Sequence, residues 1–250
     1  MKHQDDINTY VSYFEEQINK VTDLEDKLYK KILYLCMLDT LGKARYPKHD
    51  NQKRIISFLL NYAGSADMTR VSMPQLLFNL DHILKDSAKS TSRLYVYVKQ
   101  KTDGLISGHF YRGHEVDPFY NEVASYANVK EKKKLKLARY AELFYTFRNQ
   151  LVHGFNETAH CFEMSSDSTN PYYHSEWNGP WQLCFPADSF KSLCTEGLNN
   201  LKTYLEDNGI NPYERYDFSD MWTDPKKLLA KKNRNIFCKL IDFIKEKIRT

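Results

Sequence analysis

The stretch Phe144-Tyr145-Thr146-Phe147-Arg148-Asn149-Gln150-Leu151-Val152-His153-Gly154 decides how this chain is read. Its apolar positions belong to a longer series. Leu137, Ala141, Phe144, Arg148, Leu151 and Phe155 follow one another at steps of three or four, the spacing of one face of an α-helix. The pattern predicts a helix from Asn128 to His153, with Gly154 as its stop. It also places Arg148 on the apolar seam. An unpaired buried guanidinium is costly, so that position calls for a carboxylate, an anion or a wet cleft. Asn149 and His153 are i,i+4 neighbours on an adjacent face. Five residues separate Arg148 from His153, roughly 140° and roughly 7.5 Å on an ideal helix, so the two can border one cleft without stacking on each other.

Helical periodicity continues on both sides of this stretch. Ile7, Val11, Phe14, Ile18, Val21, Leu24, Leu28, Ile32 and Leu35 form one stripe, in one long helix or in two with a break near Asp23, ended by Gly42 and Pro47. A second helix is expected over Gln52 to Tyr62. Ser72 followed by Pro74 reads as a cap and a helix-starting proline, with Leu76, Leu77, Leu80 and Leu84 as the apolar face. Residues 86–120 are ambiguous: Leu94-Tyr95-Val96-Tyr97-Val98 is β-rich in composition and Asp103-Gly104 is a turn signal, yet a short helix fits equally. Residues 156–186, rich in Ser, Asn, Gly and Pro among aromatics, predict a loop or small β-hairpin. Pro186 and Asp188 open a helix over 187–208 with Phe190, Leu193, Gly197, Leu201 and Leu205 on one face, stopped by Gly209. Pro225 opens a last basic helix over 225–249. The expected fold is mainly α, a helical bundle over 1–155 carrying a C-terminal extension over 156–250 that packs on the same domain.

The 250 residues carry a formal net charge of +4, which hides strong segregation. Residues 1–26 hold two lysines and seven acids, a local net of −5. Residues 130–139 hold six bases and Glu131, a net of +5, and residues 225–250 a net of +7. Lys132, Lys133, Lys134, Lys136 and Arg139 are therefore candidates for contact with a nucleic-acid backbone, which binds through counterion release. The alternative is a solvated helix face. The 225–249 segment is amphipathic, and packing on the domain with a basic outer face is expected of it, with an acidic membrane surface as the alternative.

The chemistry of Arg148, Asn149 and His153 is interpretable. Arginine presents a planar, permanently charged fork that matches a phosphate. Histidine moves a proton near neutral pH. RNA brings its own nucleophile, the ribose 2′-hydroxyl, so a ribonuclease needs little beyond a proton shuttle and phosphate stabilisation.

Arg148-Asn149, three residues, then His153 resembles the signature of the HEPN (higher eukaryotes and prokaryotes nucleotide-binding) domains: an arginine, four to six residues, then a histidine, with a polar residue after the arginine. The resemblance covers this motif and the helical context of residues 1–155. It implies a compact helical bundle and a metal-independent endoribonuclease without cofactor. It also implies a homodimer in which Arg and His of both subunits line one cleft, and a role as a toxin or antiphage effector held by an antitoxin or regulatory partner. On that resemblance Arg148 holds the scissile phosphate, His153 acts as general acid and base, and Asn149 orients the site. A non-catalytic RNA-binding or protein-scaffolding dimer on the same fold is the other version. Plainer alternatives stand beside these: Arg148 paired with a core carboxylate such as Asp39 or Asp81, and His153 as a helix C-terminal residue favoured by the dipole.

Other features bound the reading. The five cysteines, Cys36, Cys161, Cys184, Cys194 and Cys238, form no C-x-x-C, which fits a reduced, cytoplasmic setting, and no Cys/His cluster has zinc-ligand spacing. The start of the chain is polar and acidic, without the pattern of a signal peptide. The most apolar run, Ile32 to Leu38, is too short to span a bilayer, so no membrane partner is expected. Tyr172-Tyr173 near Trp177 and Trp181 could stack unpaired bases, or form a satellite core. His109 and His114 flank Arg112 as a second phosphate contact or as solvated loop residues. Phosphate-binding glycine loops, nucleophile elbows and H-E-x-x-H are absent from the sequence, leaving kinase, NTPase, serine hydrolase and zinc protease readings without support.

Overall fold

The series Ile7, Val11, Phe14, Ile18 and Val21 buries one face of α1 (Gln4–Thr22), joined by Tyr10. The chain breaks between Thr22 and Asp26. Asp26 then caps α2 (Lys27–Arg45) by accepting the Tyr29 backbone N–H at 2.9 Å. The acidic stretch thus supplies the cap that starts the second helix. Gly42 does not end α2: it sits inside the helix, buried, and the helix runs on to Arg45. Asp50 caps α3 (Asn51–Asn61) in the same way.

The coordinates are a computed structural model, which describes residues 3–155, 163, 169–175 and 179–215. The described elements continue with α4 (Met73–Asp81), α5 (Asp86–Lys89), α6 (Arg93–Asp103), α7 (Gly113–Val116), α8 (Tyr120–Ala124), α9 (Val129–Leu137), α10 (Tyr140–Gly154) and α11 (Ala187–Asn208). Strands β1 (Tyr111–Arg112), β2 (Tyr172–His174) and β3 (Gln182–Cys184) form an antiparallel sheet in the order β1-β2-β3. The fold is mainly α, with this small sheet as its β component. The hairpin expected within 156–186 is β2–β3, registered Tyr172↔Cys184 and Tyr173↔Leu183, and β1 joins it from far upstream, Tyr111 opposite Tyr173.

Helices α1, α2, α3, α10 and α11 form one packed layer, with α11 lying along α1 and α2. Phe190, Leu193, Leu198, Leu201 and Leu205 of α11 are all buried there. The helices approach closely at Phe58 of α3, which is wedged between two glycines. A Cβ on Gly42 would meet its Cβ at 3.6 Å, and one on Gly197 would meet its Cε1 at 2.7 Å. A second core gathers α4, α6, α8 and α9 around Leu76, Leu80, Leu94, Val98, Val123 and Leu135. Each such side chain removed from water contributes about 1.5–3 kcal/mol against the entropy of ordering it.

Leu94 to Val98 is helical, not extended. Ser92 Oγ accepts the Tyr95 N–H at 3.0 Å, and Leu94 and Val98, one turn apart, are both buried. Asp103-Gly104 is then the end of α6 rather than a hairpin turn. Residues from Gln4 to Tyr213 form one compact unit, so α11 and the hairpin share it with α1–α10. A second unit begins at Glu214; the basic helix expected over 225–249 lies outside the described residues. Among the described residues no helix is long and apolar enough to cross a membrane.

Candidate active site

The helix expected from Asn128 to His153 is two helices. Asn128 opens α9 with a reciprocal capping box to Glu131, and α9 ends at Leu137. The break is made by a segment from elsewhere. Residues 70–72 pair across it: the Ser72 N–H donates to the Ala138 carbonyl and the Tyr140 N–H donates to the Arg70 carbonyl, both at 2.9 Å. Those two groups are then spent outside the helix, so α10 must start afresh at Tyr140. The apolar stripe is cut accordingly. Ala141, Phe144 and Leu151 are fully buried, while Leu137 and Phe155 at its two ends are 52% and 57% exposed.

Arg148 lies on the seam as expected, with its side chain only 11% exposed. It meets Asp39 of α2 rather than Asp81. The Nη2 donates to Asp39 Oδ2 at 3.4 Å, and Nη1 donates to Asn149 Oδ1 at 3.1 Å and approaches His153 Nε2 at 3.4 Å. Because a guanidinium only donates, His153 Nε2 can take part only as an acceptor, in the neutral ring with its proton on Nδ1. Arg148 Nε is buried and has no hydrogen-bond partner. His153 itself is exposed at the end of α10. The next residues turn sharply: Phe155 takes the left-handed conformation at φ 49° and its ring sits 5.8 Å from Tyr29 of α2. A phenylalanine there costs roughly 1 kcal/mol, a local strain immediately beside His153.

Asp39 has a closer partner than Arg148. Arg54 of α3 donates to Asp39 Oδ1 through Nη2 at 2.9 Å and Nε at 3.2 Å. Two guanidinium groups thus share one carboxylate, and among the described residues neither has a second one. Cys36 lies in the same field. Burial pushes its thiol pKa up, Arg148 opposes that and Asp39 adds to it, so the group remains a thiol at neutral pH.

The solvent face of α2 beside this cluster is apolar as well. Tyr29, Leu33 and Cys36 are exposed, and Ile32, Met37 and Thr40 half-buried, at the spacing of a second helical stripe. Tyr34, Leu35, Leu38 and Leu41 already fill the core-facing stripe. Such an exposed, largely apolar stripe is a candidate contact surface.

The basic residues fall on α9, not on the helix that carries Arg148. Lys132, Lys133 and Lys136 are exposed and Lys134 is half-buried. Arg139 is committed elsewhere. Its Nε and Nη2 hold the two oxygens of buried Glu142 at 2.7 and 2.6 Å, and its guanidinium lies over the Tyr120 ring. His109, Arg112 and His114 are all exposed around β1. Tyr172 and Tyr173 are 1% exposed, core residues rather than a stacking platform; Trp177 lies outside the described residues. Among the described residues no group of three or more His, Cys, Asp and Glu is placed to hold a metal ion.

One polar cluster escaped the sequence. Asp117 is 1% exposed, and its Oδ2 accepts the hydroxyls of Tyr140 at 2.5 Å and Tyr173 at 2.6 Å, its Oδ1 the Met73 N–H at 2.9 Å. The Tyr173 and Ser72 hydroxyls are 2.7 Å apart. Burial pushes the Asp117 carboxyl up to about 7 against the pull of these donors and of Arg70. The cluster ties the first residue of α10 to the N-terminus of α4 and to β2. Ser72 had a visible signal as a helix cap and Tyr173 as part of an aromatic pair; Asp117 and Tyr140 had none.

No protein-family model matches this chain, and neither a curated protein nor a solved structure matches it.

Proposed function

We propose that this protein is a metal-independent endoribonuclease of HEPN type that acts as a cytoplasmic homodimer. The observation that carries the reading is the cluster at the end of α10. Arg148 is tethered to His153 and Asn149 and shares Asp39 with Arg54, and among the described residues no second carboxylate pairs with either guanidinium. A phosphodiester supplies the second anion. In the reaction His153 takes the proton of the ribose 2′-hydroxyl as that oxygen attacks phosphorus. The bond to the 5′-oxygen breaks, and the histidine of the second copy protonates the leaving oxygen. The products are a 2′,3′-cyclic phosphate and a 5′-hydroxyl. Arg148 stabilises the charge that builds on the phosphoryl oxygens, and Asn149 holds the guanidinium in place. The exposed apolar stripe of α2 is the surface through which two copies would bring their clusters together, and Lys132, Lys133 and Lys136 would carry the flanking RNA backbone. A toxin or antiphage role, with a regulatory protein holding the enzyme silent, rests on the resemblance alone.

The test is cleavage of RNA in EDTA by the wild type, His153→Ala and Arg148→Ala. Loss of at least 100-fold in both variants, with unchanged unfolding midpoints, is the expected result. Equal activity in all three proteins removes the site assignment. A non-catalytic RNA-binding dimer is the second reading, favoured by the low exposure of Arg148 and its existing contact with Asp39. It predicts salt-sensitive RNA binding with no cleavage by the wild type.

A further inference from the structure

A separate cavity of about 280 Å³ opens on the other side of α10. Leu143, Thr146, Phe147 and Gln150 line it from one stripe of the helix. Arg148 leaves that helix roughly 150° further round. The floor holds Ser72 and Tyr173, whose hydroxyls are locked 2.7 Å apart by the Asp117 cluster. Phe147, Phe185 and Trp181 give it flat apolar walls.

Its polar lining is unusual in kind. Among the described residues that line the cavity none carries a charge; instead three primary amides converge there, Gln75 from α4, Gln150 from α10 and Gln182 from β3. The Gln182 Oε1 is buried without a hydrogen-bond partner. An orphaned buried acceptor calls for a donor, and amides offer donor and acceptor side by side. A charged ligand would lose its hydration here with no counter-charge to replace it. The volume sits at the small end of ligand pockets, about the size for one ring system and too small for a nucleotide with its phosphates.

We propose that this cavity binds an uncharged planar heterocycle of the nucleobase class, its ring against Trp181 and Phe185 and its amide-like edge on Gln182 and Gln150. Two sources share that chemistry: a free nucleobase or nucleoside, and an unpaired base within an RNA strand. The site is independent of the ribonuclease reading, because it uses neither Arg148 nor His153.

Ligand-observed NMR tests it on the full chain, with adenosine, guanosine, cytidine and uridine at millimolar concentration, and with a short single-stranded RNA compared with the same strand made abasic. Gln182→Leu and Gln150→Leu are run beside the wild type, Gln150 being an exposed rim residue whose replacement spares the fold. Binding of at least one nucleoside, weakened tenfold or more by either substitution, supports a free ligand. Binding only of the intact strand, lost in the abasic strand and weakened by the same substitutions, supports a base of RNA. No binding of nucleosides or strand by the wild type, or binding that both variants retain undiminished, overturns the proposal.

Discussion

Replacing Asp117 by Asn puts the buried cluster to a quantitative test. The carboxylate sits among two tyrosine hydroxyls and a backbone N–H, and burial raises its pKa to about 7, far above the value in an unfolded chain. The folded protein therefore keeps this proton between about pH 4 and pH 7, where the unfolded chain has released it. A raised acid contributes stability that is full below the unfolded pKa and is lost as pH climbs through the folded one. Each unit in that interval is worth about 1.4 kcal/mol, so this group removes roughly 2–3 kcal/mol of folding stability between pH 5 and pH 8. Asn resembles the protonated acid in shape and cannot titrate. Urea unfolding of wild type and Asp117→Asn at half-unit steps over pH 5–8 isolates the effect, since all other titrating groups cancel in the difference. Asp81, drawn down by its hydrogen bond from Lys89, acts below that window, as does Glu163, which burial pushes up but Lys31 and its other donors hold low. The stability advantage of the wild type should be greatest at pH 5 and smaller by about 2–3 kcal/mol at pH 8. Parallel curves for the two proteins would show that the three donors keep the carboxylate ionised throughout, and would refute the argument.

Further outcomes follow from the packing. Gly197→Ala places a methyl 2.7 Å from Phe58 Cε1, and Phe58 is backed by Gly42, so the ring has little room to retreat; a loss of about 1–3 kcal/mol in urea unfolding is expected, and an unchanged midpoint would contradict the close approach. Glu163→Ala removes the carboxylate that lies 2.9 Å from the fully buried Lys31 ammonium and caps the start of α11 through the Ala187 N–H. It should cost about 3 kcal/mol or more, with much of it recovered in the double variant carrying Lys31→Met. Leu33→Glu, on the exposed stripe of α2, should turn a dimer into a monomer in sedimentation velocity without changing helix content; a dimer that persists places the interface elsewhere. Replacing Lys132, Lys133 and Lys136 together by Ala should lower the log–log salt slope of RNA binding by about 2, the single-strand value for three phosphates, and an unaltered slope would take α9 out of the RNA path.

Local pattern made most helices legible, and non-local partners account for the rest. The stripe from Ile7 to Val21, the Ser72 cap and the face of α11 all act over one or two turns, so spacing is enough to find them, whereas the stripe's continuation fails: Leu24 lies exposed at the break and Ile32 falls outside the core-facing stripe of α2. The break at Ala138-Arg139 depends on residues 70–72 arriving to take two backbone groups, and nothing within 128–153 announces that arrival. Gly42 shows the same limit. A glycine near the end of an apolar run reads as a stop, but its use is to let Phe58 approach α2, which only the position of α3 reveals. The β-rich composition of Leu94 to Val98 was overridden by the Ser92 cap and by burial of Leu94 and Val98 on one face.

The site divides along the same line. An arginine on an apolar seam is visible in the sequence, and so is the demand it makes for an anion. The sequence also offers the neutralising partner, since Asp39 was one of two carboxylates that could have met it. Had Asp39 served Arg148 alone, the pair would close on itself and the motif would need no ligand. What changes the conclusion is Arg54, which holds Asp39 more closely than Arg148 does, at 2.9 Å against 3.4 Å. Among the described residues one carboxylate serves two guanidinium groups, and Arg148, the one that reaches His153, is the less closely paired. Burial makes that looser pairing costly in the free protein. An anion entering beside Arg148 would offset that cost, and on the proposed reading the anion is a phosphate held next to the His153 imidazole.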